Sequence, residues 1–225
     1  FAAPAIDIEV LALFVQRHRD WFSVPGQLII TLNLGNDLDE MYLGGAWYRG
    51  TSEHISRKWM IQHSAAFMWL IKWQYERGLT RNMIPGVNAI LRLLGPQERV
   101  ILAREAVGCI TRIRDAVGST PTIVVVLPQD LQLFPDDFRK YAQYFDDPSK
   151  FEEWWGKRQQ LAQQMQTLED YLVALLRGRD FKVVTLAEAL PADATASQVF
   201  NRFSHHLTPQ AHAWLAKAIA RQGTY

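Results

Sequence analysis

The residues best suited to chemistry stand in a polar turn directly after an apolar run. The run 28–34 predicts a buried strand, and Gly35, Asn36 and Asp37 follow it. In an open α/β sheet, ligands bind beyond the carboxyl ends of the strands. Packing gives a strand no reason to end in an amide beside a carboxylate, so this turn is a candidate site. A turn-stabilising role for Asn36 and a loop-capping role for Asp37 are the alternatives.

Histidines near the C-terminus form a second candidate group. His205 and His206 directly precede a predicted helix that begins at Pro209 with Thr208 as its N-cap, and His212 follows one turn into that helix, where packing is its expected role. Two adjacent histidines point in different directions, and no carboxylate stands at helical spacing to them. We therefore expect no metal site here. His206 is either a reactive group or a surface histidine before a helix.

Both segments resemble signature blocks of the SGNH (GDSL-type) esterases and acetylhydrolases. Gly35-Asn36-Asp37 looks like the family's Gly-Asn-Asp block, and residues 204–219 look like its closing block, an Asp-x-x-His followed by Leu-Thr-Pro and an amphipathic helix. The resemblance implies that Asn36 donates to the oxyanion hole and that His206 is the general base. An amide suits the first role because it donates without titrating. We expect both side chains to face one pocket.

The chain departs from the family pattern at two places. Phe203 stands where the family has Asp, so a backbone carbonyl or a distant carboxylate such as Asp193 would have to orient the imidazole in a Ser-His dyad. The family's Gly-Asp-Ser block is missing, and the loop serines Ser52, Ser56 and Ser204 do not follow a strand in a sharp turn. We therefore expect the nucleophilic serine upstream of residue 1.

The resemblance implies a serine esterase that hydrolyses or transfers a small acyl ester, with the O-acetyl groups of a glycan as candidate substrate. Residues 1–5 look like a remnant of the family's second block, whose backbone N–H helps to bind the oxyanion. The alternative is a binding or accessory protein that keeps the fold without the serine. No cofactor is expected. A nucleotide-binding module is disfavoured, since no Gly-rich phosphate loop follows a strand.

Composition narrows the class of protein. The 225 residues and a hydrophobic fraction of 48% predict one α/β domain spanning 1–225. With 24 Lys and Arg against 23 Asp and Glu, the net charge of +1 gives no field that would attract nucleic acid. Cys109 is the only cysteine, so an internal disulfide is impossible. The apolar runs are shorter than the roughly 18 residues that a membrane span needs.

The elements that must position these residues alternate along the chain. Helices are predicted at 6–22, 58–76, 96–117 and 149–177 and from Pro209, and strands at 28–34, 122–127 and 181–186. Gly178 is predicted to cap the helix 149–177. This order predicts a parallel sheet, and the resemblance implies a three-layer α/β/α sandwich, SGNH or flavodoxin-like. Strands 28–34 and 122–127 are expected side by side, with their carboxyl ends on one edge.

Only three strands are visible, whereas the family's sheet has five. An open edge on an apolar strand is an aggregation hazard that proteins normally cover. We therefore expect the edge of strand 28–34 to be paired with segments outside this sequence, or left open where they were removed. A β-α-β segment before Phe1, from the same chain or a separate one, would complete the sheet. The rival is a shortened, non-catalytic relative.

Overall fold

The computed structural model describes residues 8–22, 26–34, 37–38, 96–118, 120–144, 148–201 and 206–223. In chain order its elements are α1 (Ile8–Arg17), a 3-10 turn (Arg19–Trp21), β1 (Leu28–Asn33), α2 (Pro96–Val117), β2 (Thr122–Leu127), α3 (Asp130–Leu133), a 3-10 segment (Pro135–Tyr144), α4 (Pro148–Arg177), β3 (Lys182–Thr185), α5 (Leu186–Ala189), α6 (Ala196–Val199) and α7 (Pro209–Gly223). The fold is mixed α/β. The helix predicted at 58–76 lies outside the described residues.

The three strands form one parallel sheet in the order β1-β2-β3. Leu28 of β1 lies opposite Thr122 of β2, and Asn33 lies opposite Leu127. β3 joins the other side of β2, with Lys182 opposite Ile123. The prediction that strands 28–34 and 122–127 are parallel neighbours is confirmed, so their carboxyl ends share one edge.

β1 is only half-buried, and the prediction of a buried strand is wrong here. Ile30 and Leu32 lie in the core, whereas Ile29 is 47% exposed and Thr31 is also exposed. Successive side chains of a strand point to opposite faces, and β1 is an edge strand of the described sheet. One face of β1 is therefore open to solvent.

The helices contact both sets of alternating strand residues. One core cluster joins Ile30, Leu32, Val124, Val126 and Val183 to residues of α1, α2 and α4. A second joins Ile123, Val125 and Val184 to Leu215, Ala218 and Ile219 of α7. Because alternate residues face opposite ways, β2 is covered on both faces. This matches its β-branched, wholly apolar core.

The helix ends near the predicted site follow from local chemistry. The Thr208 hydroxyl accepts the N–H of Ala211 at 3.1 Å, so the predicted N-cap of α7 is confirmed. At the end of α4, the residue with positive φ is Asp180 (φ 60), not the predicted Gly178. The Phe181 N–H bonds the Leu176 carbonyl at 3.2 Å, as in a Schellman motif. This turn leads the chain from α4 into β3.

The first helix is shorter than predicted, because α1 ends at Arg17 and the chain continues as a 3-10 turn. Among the described residues, no helix has the length and apolar character to span a membrane.

Candidate site at the carboxyl edge of the sheet

The turn after β1 is fixed at both of its described ends. The Leu34 N–H donates to the Leu127 carbonyl at 3.0 Å, which extends the pairing with β2 by one residue. The Asn33 N–H donates to the Asp37 Oδ2 at 2.8 Å. Asp37 thus stabilises the turn, as its predicted alternative role required. Asn36 itself lies outside the described residues.

His206 belongs to a short antiparallel bridge that leads into α7. Phe200 pairs with Leu207, and the His206 carbonyl accepts the Asn201 backbone N–H at 2.9 Å. The Asn201 side-chain amide also donates to the carbonyls of His206, at 3.2 Å, and Leu207, at 3.3 Å. His206 is exposed, with its backbone held in place. We call the paired residues Phe200, Asn201, His206 and Leu207 the His206 hairpin. Phe203 and His205 lie outside the described residues.

His212 has a different role from the one expected. It is exposed rather than packed, and its Nδ1 lies 2.9 Å from the Thr208 carbonyl in the first turn of α7. That contact occupies one ring nitrogen locally. His212 is therefore a natural control for experiments on His206.

The His206 hairpin packs against the segment that follows β2. Leu186, Val199, Phe200 and Ala211 form a buried cluster, and the partly buried residues packed on it include Leu127, Leu133, Phe134 and Leu207. The Phe134 and Phe200 rings meet edge to face with centroids 6.2 Å apart. The hairpin is thereby attached to the carboxyl end of β2, next to the turn after β1.

Sequence reasoning missed a buried ion pair directly after β2. Asp130, whose side chain is 2% exposed, contacts the Lys140 Nζ at 2.8 Å, and Asp137 contacts the same ammonium at 2.8 Å. Burial works against the charged ammonium, but the two carboxylates raise the pKa of Lys140 above its ordinary value of 10.5. The Asp130 Oδ1 also accepts the Leu131 N–H at 2.8 Å. The pair fastens the 3-10 segment onto α3.

A second missed group joins α3 to α4. The Gln132 side-chain amide donates to the Glu169 carboxylate and, at 3.0 Å, to the side-chain Oε1 of Gln166. Burial raises the pKa of Glu169 from its ordinary value of 4.5 to about 7; the bond from Gln132 opposes this shift, while Asp170 and Glu188 add to it. The sequence did carry a signal: Glu169 stands four residues after Met165 and three before Leu172, on the apolar side of a helix.

Two cavities of the described structure lie elsewhere. One, of about 430 Å³, is a groove between α2 and α4 and is lined by Pro96, Arg99, Val100, Gln160, Gln163, Gln164, Thr167, Leu168 and Tyr171. The other, of about 320 Å³, lies between α5 and α7 and is lined by Glu188, Ala189, Leu190, Pro191, Trp214, Lys217, Ala218 and Arg221. Neither lining includes His206. Neither of these two cavities is therefore part of the candidate site.

In the described ranges, no three His, Cys, Asp or Glu side chains are grouped to hold a metal ion. Comparison with protein-family models, with curated proteins and with solved structures finds no match for this chain.

Proposed function

We propose that this chain belongs to a serine esterase of the SGNH type, which hydrolyses or transfers a small acyl ester such as an O-acetyl group of a glycan. In this proposal His206 is the general base and the Asn36 amide donates to the oxyanion, together with a backbone N–H from the segment before Ile6. The nucleophilic serine comes from outside the 225 residues. The sheet is then the middle layer of a three-layer α/β/α sandwich.

In the proposed reaction, this chain supplies a general base and an oxyanion donor. His206 takes the serine proton as the serine oxygen bonds to the acyl carbon, and Asn36 stabilises the negative oxygen of the tetrahedral intermediate. His206 returns the proton to the leaving alcohol, which leaves an acyl-serine. Water, deprotonated by the same imidazole, then bonds to the acyl carbon. The ester bond to the serine breaks, the acid leaves, and the serine oxygen recovers its proton from His206. In acyl transfer, a second alcohol takes the place of the water.

One observation carries the proposal: the segment just before Asn36 and the segment just after His206 meet at the carboxyl edge of the sheet. Leu34, two residues before Asn36, bonds Leu127, and Leu127 packs on the same cluster as Leu207, the residue after His206. Sites of open α/β sheets form at this edge. Two segments that lie far apart in sequence are thus anchored to the same strand end.

The edge of β1 supports a nucleophile from another segment. The N–H groups of Leu28 and Leu34 donate to β2, and in a parallel ladder the intervening donors alternate in direction. The N–H groups of Ile29 and Thr31 therefore point away from β2, on the side where a further strand would pair. The 47% exposure of Ile29 shows separately that one face of β1 is accessible.

A binding or accessory protein of the same fold is the second candidate. It is favoured by Phe203, which stands where the family's orienting Asp would be, and by the absence of a Gly-Asp-Ser block from the sequence. Such a protein would keep the site geometry and bind an acylated glycan without cleaving it.

The test compares the 225-residue chain with a protein extended by the natural sequence that precedes Phe1. Hydrolysis of 4-nitrophenyl acetate is expected only from the extended protein. There, His206→Ala should lower kcat/KM by about a hundredfold or more, the scale of general-base catalysis. Asn36→Ala should lower kcat by about 10²- to 10³-fold, the cost of one oxyanion donor.

His212→Ala is the matched control and should retain activity. Full activity of the 225-residue chain would show that its own residues supply the nucleophile. An active extended protein that tolerates His206→Ala would contradict the base assignment. An inactive extended protein that binds an O-acetylated oligosaccharide would favour the accessory role.

A further inference from the structure

Glu169 is a buried acid to which the described structure offers no cation. It is 2% exposed and lies in a stretch of α4 that places Met165 and Leu172 in the core. Its hydrogen-bond partner is the Gln132 amide, whose carbonyl oxygen is buried and accepts no hydrogen bond in the described structure. The Glu169 carboxyl thus lies beside the Gln132 side-chain oxygen, an acceptor without a donor in the described structure.

This contact joins three parts of the molecule. α4 carries Glu169, and α3 carries Gln132 directly after β2. The residues that follow Gln132, Leu133 and Phe134, pack on the cluster of the His206 hairpin. Loss of the contact between Gln132 and Glu169 should therefore weaken the packing of Leu133 and Phe134 against that hairpin.

We propose that Glu169 and Gln132 form a proton-dependent latch between α4 and α3. While Glu169 is protonated the latch is closed, and when Glu169 ionises the contact opens and releases the segment that supports the His206 hairpin. Glu169 is a positioning residue in this scheme. The consequence for His206 rests on the proposed function, but the latch itself does not.

The physical reason is the different hydration need of the two protonation states. A neutral carboxyl can still accept the Gln132 N–H. It also brings an O–H donor, for which the unused Gln132 carbonyl oxygen is the neighbouring acceptor. A buried carboxylate without a cation is unfavourable because it lacks hydration. A local opening that admits water hydrates it, so ionisation favours the open state. The raised pKa of Glu169 agrees with this, because it shows that the buried site favours the neutral carboxyl over the carboxylate.

The surrounding charges reinforce the preference. On α4, Asp170 accepts a hydrogen bond from the Gln166 amide at 2.8 Å, and on α5, Glu188 is paired with Arg177 at 2.6 Å. Both carboxylates add to the rise in the pKa of Glu169. On α3, Asp130 is paired with the Lys140 ammonium. The Arg177 and Lys140 cations are thus paired with other acids.

The latch is tested by hydrogen exchange of the 225-residue chain without substrate. Protection factors for the amides of 131–134 and 199–201, corrected for intrinsic exchange, are measured from pH 5 to pH 8. They should fall by about tenfold to a hundredfold, because the open state exposes a carboxyl of ordinary pKa. In Glu169→Gln, protection should stay high and independent of pH.

Glu152→Gln, which neutralises an exposed acid on α4, is the control and should keep the wild-type fall. A ¹³C NMR titration of the Glu169 carboxyl in the wild-type chain tests the idea without any variant. Protection that does not change with pH, an equal fall in Glu169→Gln, or titration of Glu169 as an ordinary exposed glutamate would each overturn the latch. Each result leaves the ester-hydrolysis test intact, so the two proposals fail separately.

Discussion

Two polar regions lie beyond the carboxyl end of the sheet, and they differ in their contact with water. The His206 hairpin is held by backbone bonds and by the Asn201 amide, with His206 exposed. The region after β2 buries Asp130 and Glu169, each at 2% exposure. Exposed polar groups cost little to keep, whereas buried ones must be paired or neutralised. The contrast therefore predicts that stability resides in the second region and chemistry in the first.

The strongest effect is expected for the buried ion pair. Lys140→Met leaves Asp130 charged and buried without its cation, which should lower the free energy of unfolding by about 3 to 5 kcal/mol. Lys157→Met is the matched control, because Lys157 pairs at 2.6 Å with Glu153 on an exposed helix surface. It should cost no more than about 0.5 kcal/mol. Urea denaturation at pH 7 gives both values.

Equal costs for the two lysine variants would contradict the contrast between the regions, since burial would then play no part. The double variant Asp130→Asn, Lys140→Met is a stricter test. Because the buried charge of Asp130 is removed together with the ammonium, this variant should recover part of the loss caused by Lys140→Met alone.

The next effect concerns Glu169 and depends on pH. Its folded-state pKa of about 7 is raised above the ordinary 4.5, so the stability linked to its proton is fully present below pH 4.5. That stability is lost as pH rises through about 7. The loss should reach about 3 kcal/mol, because each tenfold change in proton affinity is worth about 1.4 kcal/mol. Glu169→Gln should be more stable than the wild type at pH 8 by a similar amount.

At pH 4 the Glu169→Gln variant and the wild type should be equally stable, since the wild-type carboxyl is then mostly protonated in both folded and unfolded states. Thermal or urea unfolding across pH 4 to 8 provides the measurement. If the two proteins differ in free energy of unfolding by the same amount at every pH, the effect comes from packing and not from protonation of Glu169.

The weakest effect is expected in the hairpin. Asn201→Ala removes the side-chain bonds to the carbonyls of His206 and Leu207 at an exposed position. The backbone bond from the Asn201 N–H remains, so unfolding should become easier by only about 1 kcal/mol. Urea denaturation checks this value. A loss as large as that of Lys140→Met would show that the hairpin contributes to stability as much as the buried region does.

Much of the fold was predictable because its signals are local. The β-branched run of β2 and the helical spacing of α2 and α4 lie within short windows, and Thr208 with Pro209 marks the start of α7 in the same way. The predicted burial of β1 is wrong, because the exposure of Ile29 depends on which elements cover the sheet. Asn36 stays a prediction, as it lies outside the described residues.

The residues of the candidate site also differ in whether local sequence or tertiary contacts reveal their roles. The polar turn after β1 and the His206 motif are local patterns of the sequence. The parallel pairing of the strands was predictable for another reason, the alternation of helices and strands along the chain. Tertiary contacts were needed to establish that Lys140 pairs with Asp130, that Gln132 meets Glu169 across 37 positions, and that Leu207 packs beside the end of β2. These contacts join distant segments. Their energies come from the exclusion of water, which no local pattern records.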